Sequence, residues 1–115
     1  MDIEKLEVWK RSRKLSVAIY RGLRELRDLG FKDQITRSGL SVPSNIAEGM
    51  ERGSAKEKLQ FLNIARASCA ELRTQILIGG DIEYISAATA KAWHSEAKEI
   101  SAMISGLMMA IKNSK

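Results

Sequence analysis

Residues 41–49 read SVPSNIAEG and hold the only proline of the chain. Pro43 stands where a helical pattern runs straight through: Ile35, Gly39, Val42, Ile46 and Met50 share one face at helical spacing. Proline has no N–H to give the carbonyl of Gly39, and its ring crowds that carbonyl. Gly39 adds no side chain to the crowding, and Ser41, Ser44 and Asn45 offer donors for the freed oxygen. The preferred reading is one kinked helix, from an N-cap at Asp33 to Glu51. The alternative is two shorter helices, with Ser41 capping the second and Pro43 in its first turn.

Upstream, the spacing of Val8, Leu15, Ile19, Leu23 and Leu26 predicts a helix from Leu6 to Leu29, with Trp9 and Tyr20 at the edge of its stripe. Gly30 is a fitting C-terminal cap, because glycine accepts the left-handed conformation that ends many helices. Downstream, Ser54-Ala55-Lys56-Glu57 reads as a capping box opening a third helix, which Gly79-Gly80-Asp81 ends. Phe61, Leu62, Ala65, Cys69, Leu72 and Ile76 form its main face. Ile64 with Ile78 and Leu59 with Leu77 make further apolar sectors, more than a lone bundle needs. A fourth helix runs from Ala87 to Lys112, with Trp93, Ala97, Ile100, Ile104, Leu107 and Ile111 inward and Met103, Met108 and Met109 beyond them. Four helices with short connections predict an all-α, antiparallel up-down-up-down four-helix bundle, forming a single domain over residues 1–115.

The bulk composition agrees. Aromatics make up 5% of the 115 residues, and Leu, Ile, Ala and Met dominate the apolar set, which favours helices over a sheet. Cys69 is the sole cysteine, so a disulfide framework is excluded and the cytoplasm is the expected compartment. Residues 1–20 carry charge throughout, without a signal-peptide core. The longest near-apolar stretch, Ser101 to Ile111, is well short of the ~20 residues a membrane span needs.

Little of the chain points to chemistry. His94 is the only histidine, and no triad, metal-ligand spacing or phosphate-binding loop accompanies it. The expectation is a protein that is not an enzyme and uses neither cofactor nor metal. Glu48 and Glu71 border apolar stripes, and Arg37 or Arg52 is placed to pair with Glu48, an arrangement that sets helix register more readily than it does chemistry.

The first helix differs. With 19 Lys+Arg against 14 Asp+Glu the chain carries +5, and between Lys10 and Arg27 seven cations meet one acid, Glu25. Solvated helix faces usually mix signs, since opposite charges one turn apart stabilise them. A row of one sign repels itself unless an anion comes to it. Lys10, Arg13, Lys14, Arg21 and Arg24 are therefore the candidate nucleic-acid-binding residues, following a phosphate backbone. No aromatic is expected among them on the exposed face, so base stacking is not signalled.

Val8-Trp9-Lys10, the block from Ser41 to Gly49, Arg52-x-Ser54-x-Lys56-Glu57, Phe61-Leu62-x-Ile64-Ala65, and Glu71-Leu72 with Gln75 together resemble the four helix bundle protein family. Its members are encoded in intervening sequences of bacterial 23S ribosomal RNA genes, and the likeness covers nearly the whole chain. The resemblance implies a four-helix bundle assembling as a homopentamer. It is also similar to accessory proteins of diversity-generating retroelements, which bind nucleic acid through basic surface. Within this reading Pro43, Ser44, Asn45, Glu48, Gly49, Arg52, Ser54 and Glu57 form an architectural element that lets a neighbouring helix approach. The function expected is that of an oligomer binding RNA or DNA through helix one; the alternative is a protein-interaction scaffold without nucleic acid.

Overall fold

In the computed structural model, which describes residues 1–114, a 3-10 turn at Ile3–Lys5 leads into four helices: α1 (Glu7–Gly22), α2 (Leu29–Met50), α3 (Ala55–Asp81) and α4 (Ala87–Asn113). No strand occurs among the described residues. Each helix packs on the next, and α1 also meets α4, giving a rod of 48 × 21 × 20 Å. Neighbouring helices meet in descending register, one climbing as the other falls. Ser41 of α2 meets Ser68 of α3, while Gly49 lies beside Phe61. Arg66 of α3 reaches Ser105 of α4, while Cys69 reaches Ala97.

The core sits where helical periodicity places it. Ile19, Ile35, Ile46, Leu62, Leu72, Ile76, Ile100 and Ile104 are fully buried at its centre, with at least one from every helix. Met108, expected outside the main face of α4, is also buried. Cys69 donates its thiol hydrogen to the carbonyl of Ala97 at 3.1 Å. Desolvation pushes its pKa up to about 11, so the thiol stays protonated at neutral pH and behaves as a small apolar group.

Helix α2 continues through Pro43 as one element. The donors act one or two residues beyond the expected carbonyl: Ser44 Oγ donates to the carbonyl of Leu40 at 2.8 Å, and Asn45 Nδ2 to that of Ser41 at 2.9 Å. Asn45 also donates to Ser41 Oγ at 2.9 Å, and that hydroxyl shares a hydrogen bond of 2.8 Å with Ser68 Oγ. A polar thread thus crosses from α2 to α3 beside the proline.

Two boundaries differ from expectation. Helix α1 stops at Gly22, not Leu29, although Arg24 to Arg27 are good helix formers. A Cβ at Gly22 would lie 2.8 Å from Trp93 Cη2, so only a glycine lets α4 press its indole against the end of α1. Asp28, not Asp33, then caps α2 by accepting the N–H of Phe31 at 3.1 Å, and Gly30 lies inside the first turn of α2. Helix α3 does end within Gly79-Gly80-Asp81, at Asp81, but both glycines are helical and the left-handed residue is Glu83, with φ of 65°. Gly79 serves packing instead, since it is buried against Ile85 and Phe31.

Gly106 has open space around it in the middle of α4. Gly106→Ala should therefore raise stability by about 0.5–1 kcal/mol, the usual helix-interior gain of alanine over glycine. Urea denaturation checks this, and an unchanged or lowered midpoint contradicts it.

Candidate nucleic-acid interface

The face of α1 opposite the core is set by its period. At about 100° per residue, Lys10, Lys14, Val17 and Arg21 fall within roughly 60° of one another. Val8, Leu15 and Ile19 occupy the opposite, buried side. Arg13 and Tyr20 flank the row toward α2. Lys10, Arg13, Lys14, Arg21 and Arg24 are all exposed. Arg24 lies in the turn after α1 instead of on the helix, a consequence of the early stop. It remains next to the row, and its carbonyl accepts a hydrogen bond from Lys32 Nζ at 2.8 Å.

Few acids answer these charges. Lys10 approaches Glu7 at 4.0 Å, with both side chains largely solvated, an ion pair worth little. Arg13 lies over the indole of Trp9, 5.4 Å from its centroid, which fixes its direction without neutralising it. Lys14, Arg21 and Arg24 make no ion pair among the described residues. The row borders an open groove of about 700 Å³ that extends from Glu4 to Arg21, with Trp9, Val17 and Ala18 among its lining.

Within α1, Arg11 is the cation that does not join the row. It turns toward α4, where Nε and Nη2 bond the two carboxylate oxygens of Glu96 at 2.9 and 2.6 Å, and Nη1 meets Met103 Sδ at 3.4 Å. This fork geometry adds direction to the charge attraction. The bond to Arg11 holds the Glu96 carboxyl below its ordinary value of 4.5, against the opposing effect of partial burial. A lowered carboxyl stabilises the fold above its ordinary value, and that contribution disappears as pH falls through the lowered one. Glu96→Gln should then cost about 1 kcal/mol at pH 7, a charged hydrogen bond discounted for its solvent access. In urea titrations the deficit relative to wild type should shrink as pH drops below 4.5. A deficit independent of pH would contradict the pair's role.

Of the residues expected to be architectural, Glu48, Gly49, Arg52, Ser54 and Glu57 gather where α2 turns into α3, whereas Pro43, Ser44 and Asn45 lie within α2. Arg52 bonds Glu48 Oε1 at 2.5 Å, approaches Glu57 at 3.8 Å and lies over the Phe61 ring, 4.6 Å from its centroid. Arg37, the other proposed partner of Glu48, pairs with Asp33 instead. Ser54 Oγ accepts the N–H of Glu57 at 3.2 Å and bonds its Oε1 at 3.1 Å, so the glutamate closes on the hydroxyl of the cap. A Cβ at Gly49 would lie 3.0 Å from Phe61 Cβ and 3.2 Å from the Lys58 carbonyl. Gly49 is thus the close-approach glycine of this block; Gly39 has ordinary spacing, 3.5 Å to Ile19 Cδ1.

One feature of the basic face escaped the periodicity. Tyr20 is 44% exposed, and it shares a cleft with Arg13, Arg21 and Arg24. Its place at the edge of the apolar stripe pointed to partial burial. With α1 ending early and Leu40 turned outward on α2, no neighbour covers the ring.

Elsewhere the chain offers little chemistry. Among the described residues, no three His, Cys, Asp or Glu side chains gather to hold a metal ion, and no helix is long and apolar enough to cross a membrane.

Comparisons with known proteins agree with this architecture. A crystal structure of a protein with unknown function from the S23 ribosomal protein family, of Bacteroides thetaiotaomicron VPI-5482, superposes with a TM-score of 0.83 at 26% identity. The match covers 88% of this chain and 97% of that one. No curated protein is significantly similar. The family model for 23S rRNA-intervening sequence proteins matches residues 4–106, from the turn before α1 well into α4. A match of that extent, on a bundle whose α2–α3 turn gathers the block from Glu48 to Glu57, means that the chain belongs to the 23S rRNA-intervening sequence protein family.

Proposed function

We propose that this protein is a non-enzymatic, oligomeric helical bundle that binds RNA or DNA through the basic face of α1 and the turn after it. The observation that carries this reading is the set of exposed cations, with Lys14, Arg21 and Arg24 unpaired among the described residues. Phosphates are the anions that a row of this kind suits, because successive charges meet successive phosphates and release their counterions. The face has few groups that read base edges, so recognition is largely indifferent to sequence.

The exposed apolar residues of α3 and α4 support assembly as part of the same reading. Ile64, Leu77, Ile78 and Ile82 of α3 and the adjoining turn are each 43–50% exposed, and Met109 of α4 is 58% exposed. Apolar surface repeated along one helix favours burial against another subunit. Copies of the bundle, five by the family resemblance, would repeat the basic row around the assembly. Weak phosphate interactions then add through a high effective concentration. The setting proposed is the cytoplasm, and neither cofactor nor metal takes part.

The test is a binding titration with generic RNA and DNA across a salt series, paired with light scattering. Binding at ~100 mM salt that falls steeply as salt rises is the expected result. The exposed apolar face equally suits a protein-interaction scaffold, which predicts assembly or partner binding with no shift of RNA or DNA. A stable monomer at micromolar concentration would contradict the oligomer.

A further inference from the structure

Between α1 and α2 lies a cleft of about 350 Å³ whose chemistry differs from that of the phosphate row beside it. Val17 and Leu40 line it with Pro43, and the Tyr20 ring stands within it. Arg13, Arg21 and Arg24 line it as well, and no acid is among its lining residues. Val17, Tyr20 and Leu40 are 41, 44 and 49% exposed, so this apolar strip is open to solvent in the single chain.

We propose that this cleft is a base-stacking subsite that makes the protein prefer single-stranded nucleic acid. The inference rests on the phosphate-binding reading of α1 and adds to it. An occupant must be anionic, to meet arginines without any acid among them. It must also carry a flat apolar part, to lie on Tyr20, Val17 and Leu40. An unpaired nucleotide has both, and stacking on an aromatic beside arginine is the general way proteins hold single strands without reading sequence. A duplex keeps its bases stacked inside and offers this cleft only phosphate and sugar. A protein partner fits less well, since stable interfaces bury about 800 Å² on each side and this cleft is of small-ligand size.

The test uses fluorescence anisotropy at ~100 mM salt with three probes: oligodeoxythymidylate, an abasic oligomer with the same number of phosphates, and a duplex. Wild type should bind the oligodeoxythymidylate roughly tenfold more tightly than the abasic oligomer. Tyr20→Ala should abolish that difference and leave abasic and duplex binding unchanged, while Tyr20→Phe should keep it. Equal binding of the first two probes, or no effect of Tyr20→Ala, overturns the subsite while the phosphate row stands. Failure of all three probes to bind overturns both readings. If Tyr20→Ala changes the sedimentation of the free protein, a second copy occupies the cleft and the proposal is wrong.

Discussion

Replacing Lys14 and Arg21 together by glutamate is expected to weaken RNA or DNA binding roughly 30- to 100-fold at ~100 mM salt. Each neutralised phosphate contributes through counterion release, and at that salt one is worth roughly five- to eightfold. Removing two cations from the phosphate row gives the range, and the new carboxylates push it to the upper end. The dependence on salt should become shallower by about one phosphate per residue changed. Helicity and assembly should be unaffected, because both side chains are exposed and make no ion pair among the described residues. Each reversal removes two units of charge, so the chain falls from +5 to +1. The matching control is Lys56→Glu with Lys91→Glu, on exposed sites of α3 and α4, which makes the same change of net charge away from the face. An equal loss in both variants would show that net charge alone attracts the nucleic acid. No loss in either would leave the row as a solvated surface.

The second large effect concerns stability. Gly79→Val should destabilise the fold by about 2–3 kcal/mol, the upper part of the range for overpacking a filled core. The first added carbon alone would lie 2.6 Å from Ile85 Cδ1, 3.1 Å from Ile85 Cγ1 and 3.0 Å from the tip of the Phe31 ring. Either neighbour would have to shift against packing of its own. Ile85 is 3% exposed, and Phe31 packs edge-on against Tyr84, whose hydroxyl donates to Asp28 Oδ2 at 2.8 Å. The strain would thus reach the cap of α2 through Asp28. In thermal unfolding the loss corresponds to roughly 10–15 °C for a domain of this size. Gly53→Ala provides the contrast, because nothing lies within 4 Å of the position where its Cβ would be, and it should change stability by less than about 0.5 kcal/mol. Equal midpoints for Gly79→Val and wild type would refute the close-packing account.

Which parts of this protein were readable before folding follows from the range of the forces involved. Periodicity is local, so the buried faces of Ile35, Val42 and Ile46, of Leu62, Cys69 and Ile76, and of Ala97, Ile100 and Ile104 were legible along the chain. Local capping chemistry likewise announced the start of α3, where Ser54 and Glu57 lie three residues apart. The exposure of Lys10, Lys14 and Arg21 came with the same period, as did the surplus apolar sector of Ile64 and Ile78.

Tertiary structure decided what depends on neighbours distant in sequence. The segment from Arg24 to Arg27 has ample helix propensity, yet α1 ends at Gly22, where Trp93 of α4 crosses it. Gly79 looked like a helix terminator, but its small size matters because Ile85 and Phe31 press against it from outside α3. Arg11 and Lys10 are both cations and adjacent in sequence. One is tied to Glu96 across the bundle and the other faces solvent beside Glu7. Tyr20 is exposed among arginines because α1 stops short and Leu40 points outward, leaving its ring without a lid. Propensity and period act over a turn or two of helix, whereas a ring pressed on a glycine or an ion pair across helices exists only after the chain has folded back on itself.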